Sequence, residues 1–146
     1  MTDQHDDTEV TLVRLDRGSY QARNSRGTTI EVGIGKAAFT PGELFLAAIG
    51  ACTTVDVDIM TSRRAEPELF EVTTSGRKST EGGNHYEDLT VTFRLRFPEG
   101  PAGDAARTRI PAAVRASRER DCTVSRTVEA GTPIDSVVSE PNPADE

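Results

Sequence analysis

The chain has 146 residues, enough for one domain with a real hydrophobic core. Hydrophobic residues make up only 35% of it, a low share for a globular chain, so we expect a second subunit to cover part of the core. The net charge of −7 argues against a nucleic-acid or anionic-membrane surface. A local run of arginines is interpreted as a solvated helix face: Arg107, Arg109, Arg115, Arg118 and Arg120.

The cellular compartment is predicted from the N-terminus and the cysteines. The first ten residues, MTDQHDDTEV, are acidic and lack the apolar stretch of a signal peptide. The most apolar segment is interrupted by threonine and aspartate, so no membrane span is predicted. We therefore expect a cytoplasmic protein whose two cysteines are free thiols, redox-active thiols or metal ligands. No Cys-x-x-Cys or His-x-x-x-His spacing is present, which argues against a zinc site.

The N-terminal quarter predicts a three-stranded meander. Three segments alternate in polarity as half-buried strands do: EVTLVRL, YQARNS and TTIEVGI. The sequences DRGS and RG between them are typical of turns.

A long apolar helix is predicted from residue 41 to about residue 64. Thr40 is a suitable N-cap, Pro41 suits the first helical position, and Glu43 completes a Thr-x-x-Glu capping box. Residues 44–51 are apolar nearly all round, which indicates a helix buried on every side.

The second half predicts a hairpin followed by helices. LFEVTTSGRKS and LTVTFRLRF are strands joined by the loop TEGGNHYED, in which His85 is expected to be exposed. A second helix ends near residue 119, with Asp104 as its N-cap or a later start, since Pro111 disturbs helices. A short third helix opens at Cys122, and PIDSVVS predicts a last strand.

These elements give the order β-β-β-α-β-β-α-α-β, an α+β fold. We expect a single domain over residues 1–146, with frayed tails at 1–8 and 140–146.

The two cysteines leave alternatives open. Cys52 lies on an apolar helical face with Ile49 and Val55, where cysteine commonly acts as a small buried hydrophobe. Cys122 stands where a short helix begins, and backbone N–H groups at a helix N-terminus stabilise a thiolate. Arg120 and Arg126 are expected to add to this effect. From the residues alone, packing and thiol-redox roles both remain possible.

Two motifs resemble those of the OsmC/Ohr family, the osmotically inducible protein C and organic hydroperoxide resistance proteins. TPGELFLAAIGACTTVDVDIM matches the family's central helix at Pro41, Leu44, Ala51 and Cys52, and RDCTVSRTVEAGTPI matches its second cysteine motif at Cys122, Val124 and Ser125. The resemblance covers roughly residues 19–134. It implies an OsmC-like fold in which curved sheets wrap two central helices of an intertwined homodimer.

The resemblance also implies an activity. Cys52 would attack an organic hydroperoxide and become a sulfenic acid, which Cys122 would convert to a disulfide that an external thiol or dithiol reduces. No cofactor or metal would be required. The partners expected are a second copy of the chain, the hydroperoxide and the reductant, without nucleic acid or membrane. An apolar pocket would favour alkyl or lipid hydroperoxides.

This sequence departs from the family pattern at two places. In the peroxidase branches of the family, an arginine from the N-terminal strands holds the thiolate; Arg23 is the first candidate for this role here and Arg26 the second. A glutamate orients that arginine, but Gly42 occupies its position, and Glu43 lies one residue later, about 100° round the helix. Both a capping and a catalytic role for Glu43 remain open. Thr123 also replaces the usual proline after the second cysteine.

Two alternatives to a peroxidase remain. The shift from Gly42 to Glu43 favours a non-catalytic OsmC-fold protein that senses redox state or binds an apolar ligand at a dimer pocket. In the other alternative, Cys52 and Cys122 are packing residues of a small structural dimer. Asp56, one turn after Cys52, is expected to raise the pKa of that thiol if the two lie close together.

Overall fold

The computed structural model describes residues 7–140, in a mixed α+β arrangement as predicted. Frayed tails were predicted at residues 1–8 and 140–146, and all but residues 7, 8 and 140 of these lie outside the described residues. The elements are β1 (Val10–Asp16), β2 (Ser19–Asn24), β3 (Thr29–Gly33), α1 (Pro41–Ser62), β4 (Leu69–Ser79), β5 (His85–Arg96), α2 (Pro101–Ala116), a π-helical turn (Ser117–Asp121) and α3 (Thr123–Ala130).

The predicted meander is confirmed. Strands β1, β2 and β3 form an antiparallel sheet in that order, with Leu12 opposite Ala22 and Ala22 opposite Ile30. Gly18 makes the first turn with a φ of 73°, a conformation that favours glycine. Every residue of β1 is exposed, and its apolar side chains at Leu12 and Leu15 remain more than half exposed. The meander therefore leaves apolar surface in contact with solvent.

Helix α1 begins as predicted. The Glu43 N–H donates to Thr40 Oγ1 at 3.2 Å, and the Thr40 N–H donates to Glu43 Oε2 at 2.9 Å, which completes the capping box. Its buried stripe repeats with helical spacing at Ile49, Gly50, Thr53, Val57 and Thr61.

The prediction that α1 is buried on every side is wrong for the single chain. Val55 is 56% exposed and Ile59 50% exposed, on the face opposite the buried stripe. The chain covers only one side of the helix, with α2, α3 and β4. The second apolar face therefore has no cover among residues 7–140.

The expectation that no segment spans a membrane stays a prediction, although α1 is strongly apolar. Its most apolar window has a mean hydropathy of 1.6, so its 22 residues meet the length and composition criteria for a membrane-crossing helix. A helix in a protein core meets the same criteria. Packing on α2, α3 and β4 accounts for the buried stripe of the helix.

Strands β4 and β5 form the predicted hairpin, with Val72 opposite Phe93 and an irregularity between Ser75 and Arg77. The hairpin packs on α1 through β4. The connection is shorter than predicted, because His85 already pairs with Ser79 at the start of β5. The exposure predicted for His85 is confirmed.

Helix α2 begins earlier than predicted. Pro101 occupies the start of the helix after Gly100, and the Asp104 N–H donates to the Gly100 carbonyl, so Asp104 lies in the first turn and is not the N-cap. Pro111 lies inside the helix, which continues through it although proline provides no N–H donor. The interpretation of the arginines as a solvated face is confirmed, since all five are exposed.

The last predicted strand is wrong for the single chain. Residues 133–139 have no regular structure, and Ile134, Val137 and Val138 are each at least 90% exposed. A strand needs a neighbouring backbone with which to form hydrogen bonds, and residues 7–140 provide none beside this segment. Helix α3 ends just before it at Gly131, whose φ is 61°.

Candidate active site: a pair of thiols between α1 and α3

The π-helical turn places Cys122. Its N–H donates to the Ser117 carbonyl at 2.8 Å, five residues back, and the chain then turns into α3. Cys122 is the N-cap of α3, as predicted, and its Sγ accepts a hydrogen bond from the Ser125 N–H at 3.3 Å. The Cys122 side chain is fully buried. The π-helical turn, a kind of element often found at functional sites, thus fixes the position of Cys122.

A hydrogen bond anchors this turn to α1. The buried Ser117 donates through Oγ to Asp56 Oδ2 at 2.6 Å. Asp56 lies one helical turn after Cys52, so the contact holds the π-helical turn beside the part of α1 that carries the first cysteine. Hydrogen bonds to a charged carboxylate are among the stronger ones in proteins.

Cys52 and Cys122 meet between the two helices. Both are free thiols; Cys52 is half-buried, and it lies near enough to Cys122 for each thiol to affect the pKa of the other. The Ser125 N–H donates to Cys122 Sγ, and the neighbouring Val124 N–H acts to lower the pKa of Cys52, so the first turn of α3 affects both sulfurs. Thr53 Oγ1 lies 3.9 Å from Cys122 Sγ. Folding therefore brings together two cysteines that are distant in the sequence.

The surroundings of the two thiols shift their pKa values in opposite directions. Burial, the neighbouring Cys122 and the nearby charge of Asp56 together raise the pKa of Cys52 above its usual value. Burial also acts to raise the pKa of Cys122. There, however, the interactions with Cys52, with the side chain and N–H of Ser125 and with Thr53 outweigh burial, and the pKa of Cys122 is lowered.

An apolar cleft of about 350 Å³ lies beside the pair. Two polar residues of its wall, Thr53 and Ser125, are the ones that contact Cys122 Sγ. The remaining wall is mostly hydrophobic, from α1, β5, α2 and α3: Ile49, Leu89, Val91, Phe93, Val114 and Val128. Neither cysteine is part of the cleft wall, so Thr53 and Ser125 are the link between a small apolar molecule bound there and Cys122.

The other predicted site residues lie away from the thiols. Arg23 is exposed on β2, paired with Thr29 of β3, and forms no ion pair within residues 7–140. Arg26 is exposed in the next turn. The carboxylate of Glu43 accepts the capping hydrogen bond of Thr40. The structure thus accounts for Glu43 as a helix cap.

The structure explains why position 42 is occupied by glycine. A Cβ atom at this position would lie 2.3 Å from the hydroxyl oxygen of Tyr86, far closer than real Cβ contacts. Tyr86 is itself held by stacking on Phe45, with ring centroids 6.0 Å apart. The Tyr86 hydroxyl therefore occupies the space into which a side chain from position 42 would extend.

The sequence motifs assign no role to Thr53 or Ser117, and they include Ser125 only as a matching position. Ser125 had a usable signal, because a residue three positions after an N-cap faces the capping side chain. Thr53 and Ser117 contact the site through tertiary packing, which no local spacing reveals. The arginines expected to assist Cys122 do not contact it: Arg126 donates to the Glu119 carbonyl, and Arg120 is exposed.

The described chain also bears on metal binding. Within residues 7–140, no three histidine, cysteine, aspartate or glutamate side chains are grouped closely enough to hold a metal ion. The expectation that no cofactor is needed remains a prediction.

The fold and the site define an α+β protein with two neighbouring thiols at the start of a short helix. The family model described as OsmC-like protein matches residues 33–137, most of the chain and both cysteines. The chain therefore belongs to the OsmC-like protein family, and the resemblance found in the sequence is confirmed.

Individual relatives extend this result. An uncharacterized protein of Mycobacterium tuberculosis is 27% identical over 129 residues, which cover 87% of this chain and 93% of that protein. A hypothetical protein from Aquifex aeolicus has a similar structure, with a TM-score of 0.68, 24% identity and coverage of 86% and 89%. An organic hydroperoxide resistance protein from Legionella pneumophila gives a TM-score of 0.52 at 16% identity, with coverage of 84% and 88%. These similarities support the fold.

Proposed function

We propose that this protein is a thiol-dependent peroxidase that reduces organic hydroperoxides. The observation that carries the proposal is the meeting of Cys52 and Cys122 beside an apolar cleft. Membership of the OsmC-like family adds support, because the family includes proteins named for organic hydroperoxide resistance. The hydrophobic wall of the cleft favours an alkyl or lipid hydroperoxide over hydrogen peroxide, since only the former buries apolar surface there.

The proposed reaction has two steps. Cys52 sulfur attacks the terminal oxygen of the hydroperoxide; the O–O bond breaks, the alcohol leaves, and Cys52 becomes a sulfenic acid. Cys122 sulfur then attacks Cys52 sulfur and expels the hydroxyl group as water, which leaves a disulfide. Partial exposure favours Cys52 as the attacking sulfur, because Cys122 is fully buried. An external thiol or dithiol completes the cycle by reducing the disulfide.

The proposal includes a homodimer. The outer face of α1 at Val55 and Ile59, the apolar side chains of the meander, and the segment 133–139 are all exposed in the single chain. A second copy could cover these surfaces and provide the neighbouring strand that segment 133–139 lacks. Such a dimer would also bring the partner's residues near Cys52. We further propose that the whole chain forms one domain and acts in the cytoplasm.

One observation favours the alternative of a non-catalytic redox sensor or apolar-ligand binder. Arg23 is exposed on β2, and Glu43 is engaged as a helix cap. Neither residue assists Cys52 within the described chain. A sensor would still form the disulfide but would not turn over a hydroperoxide at a useful rate.

Trapping the intermediate tests the peroxidase. Reduced Cys122→Ala protein should form a sulfenic acid on Cys52 when cumene hydroperoxide is added together with dimedone, and peptide mass spectrometry should locate the adduct. The matched Cys52→Ala variant should give no adduct on Cys122 at the same exposure. Turnover with a dithiol reductant separates enzyme from sensor: a sensor forms the adduct but shows no sustained consumption of hydroperoxide. An absence of any adduct in Cys122→Ala would contradict the peroxidase.

A further inference from the structure

The π-helical turn is attached to α1 at both of its ends. At its start, the hydroxyl of Ser117 donates to Asp56 Oδ2 at 2.6 Å. At its end, Cys122 Sγ lies 3.9 Å from Thr53 Oγ1. Thr53 is the neighbour of Cys52 in the chain, and Asp56 follows Cys52 by one helical turn. The two attachments therefore hold the π-helical turn against the part of α1 that carries the first cysteine.

A backbone hydrogen bond joins the two attachments. The Cys122 N–H donates to the Ser117 carbonyl at 2.8 Å, so the backbone of Ser117 holds Cys122 while its side chain holds α1. Ser117 is the only buried residue of the π-helical turn, and the four residues that follow it are exposed. One buried serine thus determines where Cys122 lies along α1.

The Ser117 hydroxyl has a different kind of partner from other helical hydroxyls of the chain. Serine and threonine in a helix can donate to the carbonyl one turn back, as Thr54, Thr61 and Thr108 do here. Ser117 instead donates to a carboxylate of another helix, which makes a stronger bond. Both partners belong to the same chain, so this contact does not depend on a second subunit.

On the basis of the proposed peroxidase function, we infer that Ser117 and Asp56 are positioning residues for the disulfide step. Their hydrogen bond holds Cys122 at the level of Cys52 on α1. In that step Cys122 gives up its S–H proton, an S–S bond replaces the S–O bond of the Cys52 sulfenic acid, and water leaves. Fast attack protects Cys52, because a second hydroperoxide oxidises a sulfenic acid to a sulfinic acid that thiols do not reduce.

An equilibrium with glutathione tests the positioning without any peroxide. Oxidised glutathione and the two protein thiols form the Cys52–Cys122 disulfide and two molecules of reduced glutathione. Alkylation and mass spectrometry count the thiols that remain, and the equilibrium constant gives the effective concentration of the pair. Ser117→Ala should lower this effective concentration by about tenfold or more, because small displacements of reacting groups have large effects. Asp56→Ala should lower it equally, and the double variant should be no worse than either single variant, because each change removes the same hydrogen bond.

Two control variants separate positioning from a loss of stability. Asp56→Asn keeps an oxygen that accepts the Ser117 hydroxyl and should keep nearly the wild-type effective concentration. Val57 is fully buried on the same helix, and Val57→Ala should keep it too, although the protein becomes less stable. Three results would each overturn the inference: an unchanged value in Ser117→Ala, an equal loss in Val57→Ala, or a wild-type protein that forms no disulfide.

Cumene hydroperoxide in excess separates this inference from the proposed function. Ser117→Ala should form the Cys52 sulfenic acid, convert it to the disulfide more slowly than the wild-type protein and accumulate more sulfinic acid, whereas Val57→Ala should not. Disulfide formation at the wild-type rate in Ser117→Ala would overturn the inference and leave the peroxidase intact. If the glutathione equilibrium shifts as expected but hydroperoxide leaves both thiols unmodified, the peroxidase fails and the positioning role stands.

Discussion

The two antiparallel sheets of residues 7–140 differ in what covers them. The hairpin β4–β5 packs on α1, and side chains of β5 such as Val91 and Phe93 line the cleft beside the thiols. The meander β1–β3 has a similar alternating sequence, but no helix of the described chain packs broadly on it, and Leu12 and Leu15 are more than half exposed. An alternating pattern predicts a strand with an apolar face; it does not say which surface covers that face.

The largest expected effect on stability compares the same substitution inside and outside the core. Val57 in α1 is fully buried, whereas Val13 in β1 is 50% exposed. Val57→Ala should lower the free energy of unfolding by about 2 to 3 kcal/mol through lost burial and a cavity. Val13→Ala should cost less than about 1 kcal/mol in the monomer. Urea denaturation measures both.

Protein concentration sharpens this comparison. If a second copy covers the meander, the loss caused by Val13→Ala should grow with protein concentration, while the loss caused by Val57→Ala should not. Sedimentation identifies the concentration at which the protein is monomeric. Equal losses in the two variants at that concentration would contradict the contrast between the sheets.

A second prediction concerns the contact between the hairpin and the start of α1. Gly42→Ala should destabilise the protein by about 1 to 3 kcal/mol, because the new methyl group would overlap the Tyr86 hydroxyl. In a Tyr86→Phe background the same substitution should cost much less, since the closest atom is gone and alanine favours the helix. A double-mutant cycle by thermal denaturation measures the coupling. Equal costs of Gly42→Ala in both backgrounds would show that the hydroxyl does not exclude a side chain there.

The sequence predicted correctly those helix starts that are determined by neighbouring residues in the chain. Thr40 and Glu43 predicted the start of α1, and Cys122 correctly marked the start of α3. The start of α2 was predicted wrongly at Asp104, because aspartate is a common N-cap residue. Pro101 was the better signal, since proline is favoured in the first turn of a helix. The segment 133–139 has the composition of a strand, but strand formation depends on a neighbour that composition does not reveal.

The candidate site was predictable in its cysteines but not in its surroundings. The family motifs identified Cys52 and Cys122, and the structure brings them together. Its surroundings depend on how α1, the π-helical turn and α3 pack. This packing brings the donors of Thr53 and Ser125 to Cys122 and forms the hydrogen bond from Ser117 to Asp56. The site roles predicted for Arg23 and Glu43 stay predictions, because a partner subunit could still complete the site.

A smaller effect is expected at the N-cap of α1. Thr40→Ala should cost about 1 kcal/mol, because it removes the acceptor for the Glu43 N–H. Thr40→Ser is the matched control and should retain nearly all the stability, since serine caps equally well. Thermal denaturation compares the two variants. A serine variant as unstable as the alanine variant would show that the hydroxyl is not the source of the stabilisation.

The smallest expected effect is at the turn of the hairpin. Hydrogen bonds of His85 with the Gly83 carbonyl and with Glu87 raise the pKa of His85 above its usual value of 6.5. Because the folded-state pKa is the higher one, this stabilisation is complete below pH 6.5 and is lost as the pH rises through the folded-state pKa. His85→Gln should remove that part of the pH dependence of the melting temperature. NMR titration of the His85 ring checks the direction, and a pKa below 6.5 would contradict it.

The most direct test of the central claim is the intact mass of the reduced wild-type protein after addition of one equivalent of cumene hydroperoxide. The account predicts rapid loss of two hydrogens per chain and a peptide in which Cys52 is linked to Cys122. An unchanged mass, with both thiols still available for alkylation after minutes of exposure, would contradict it and leave Cys52 as a packing residue of α1.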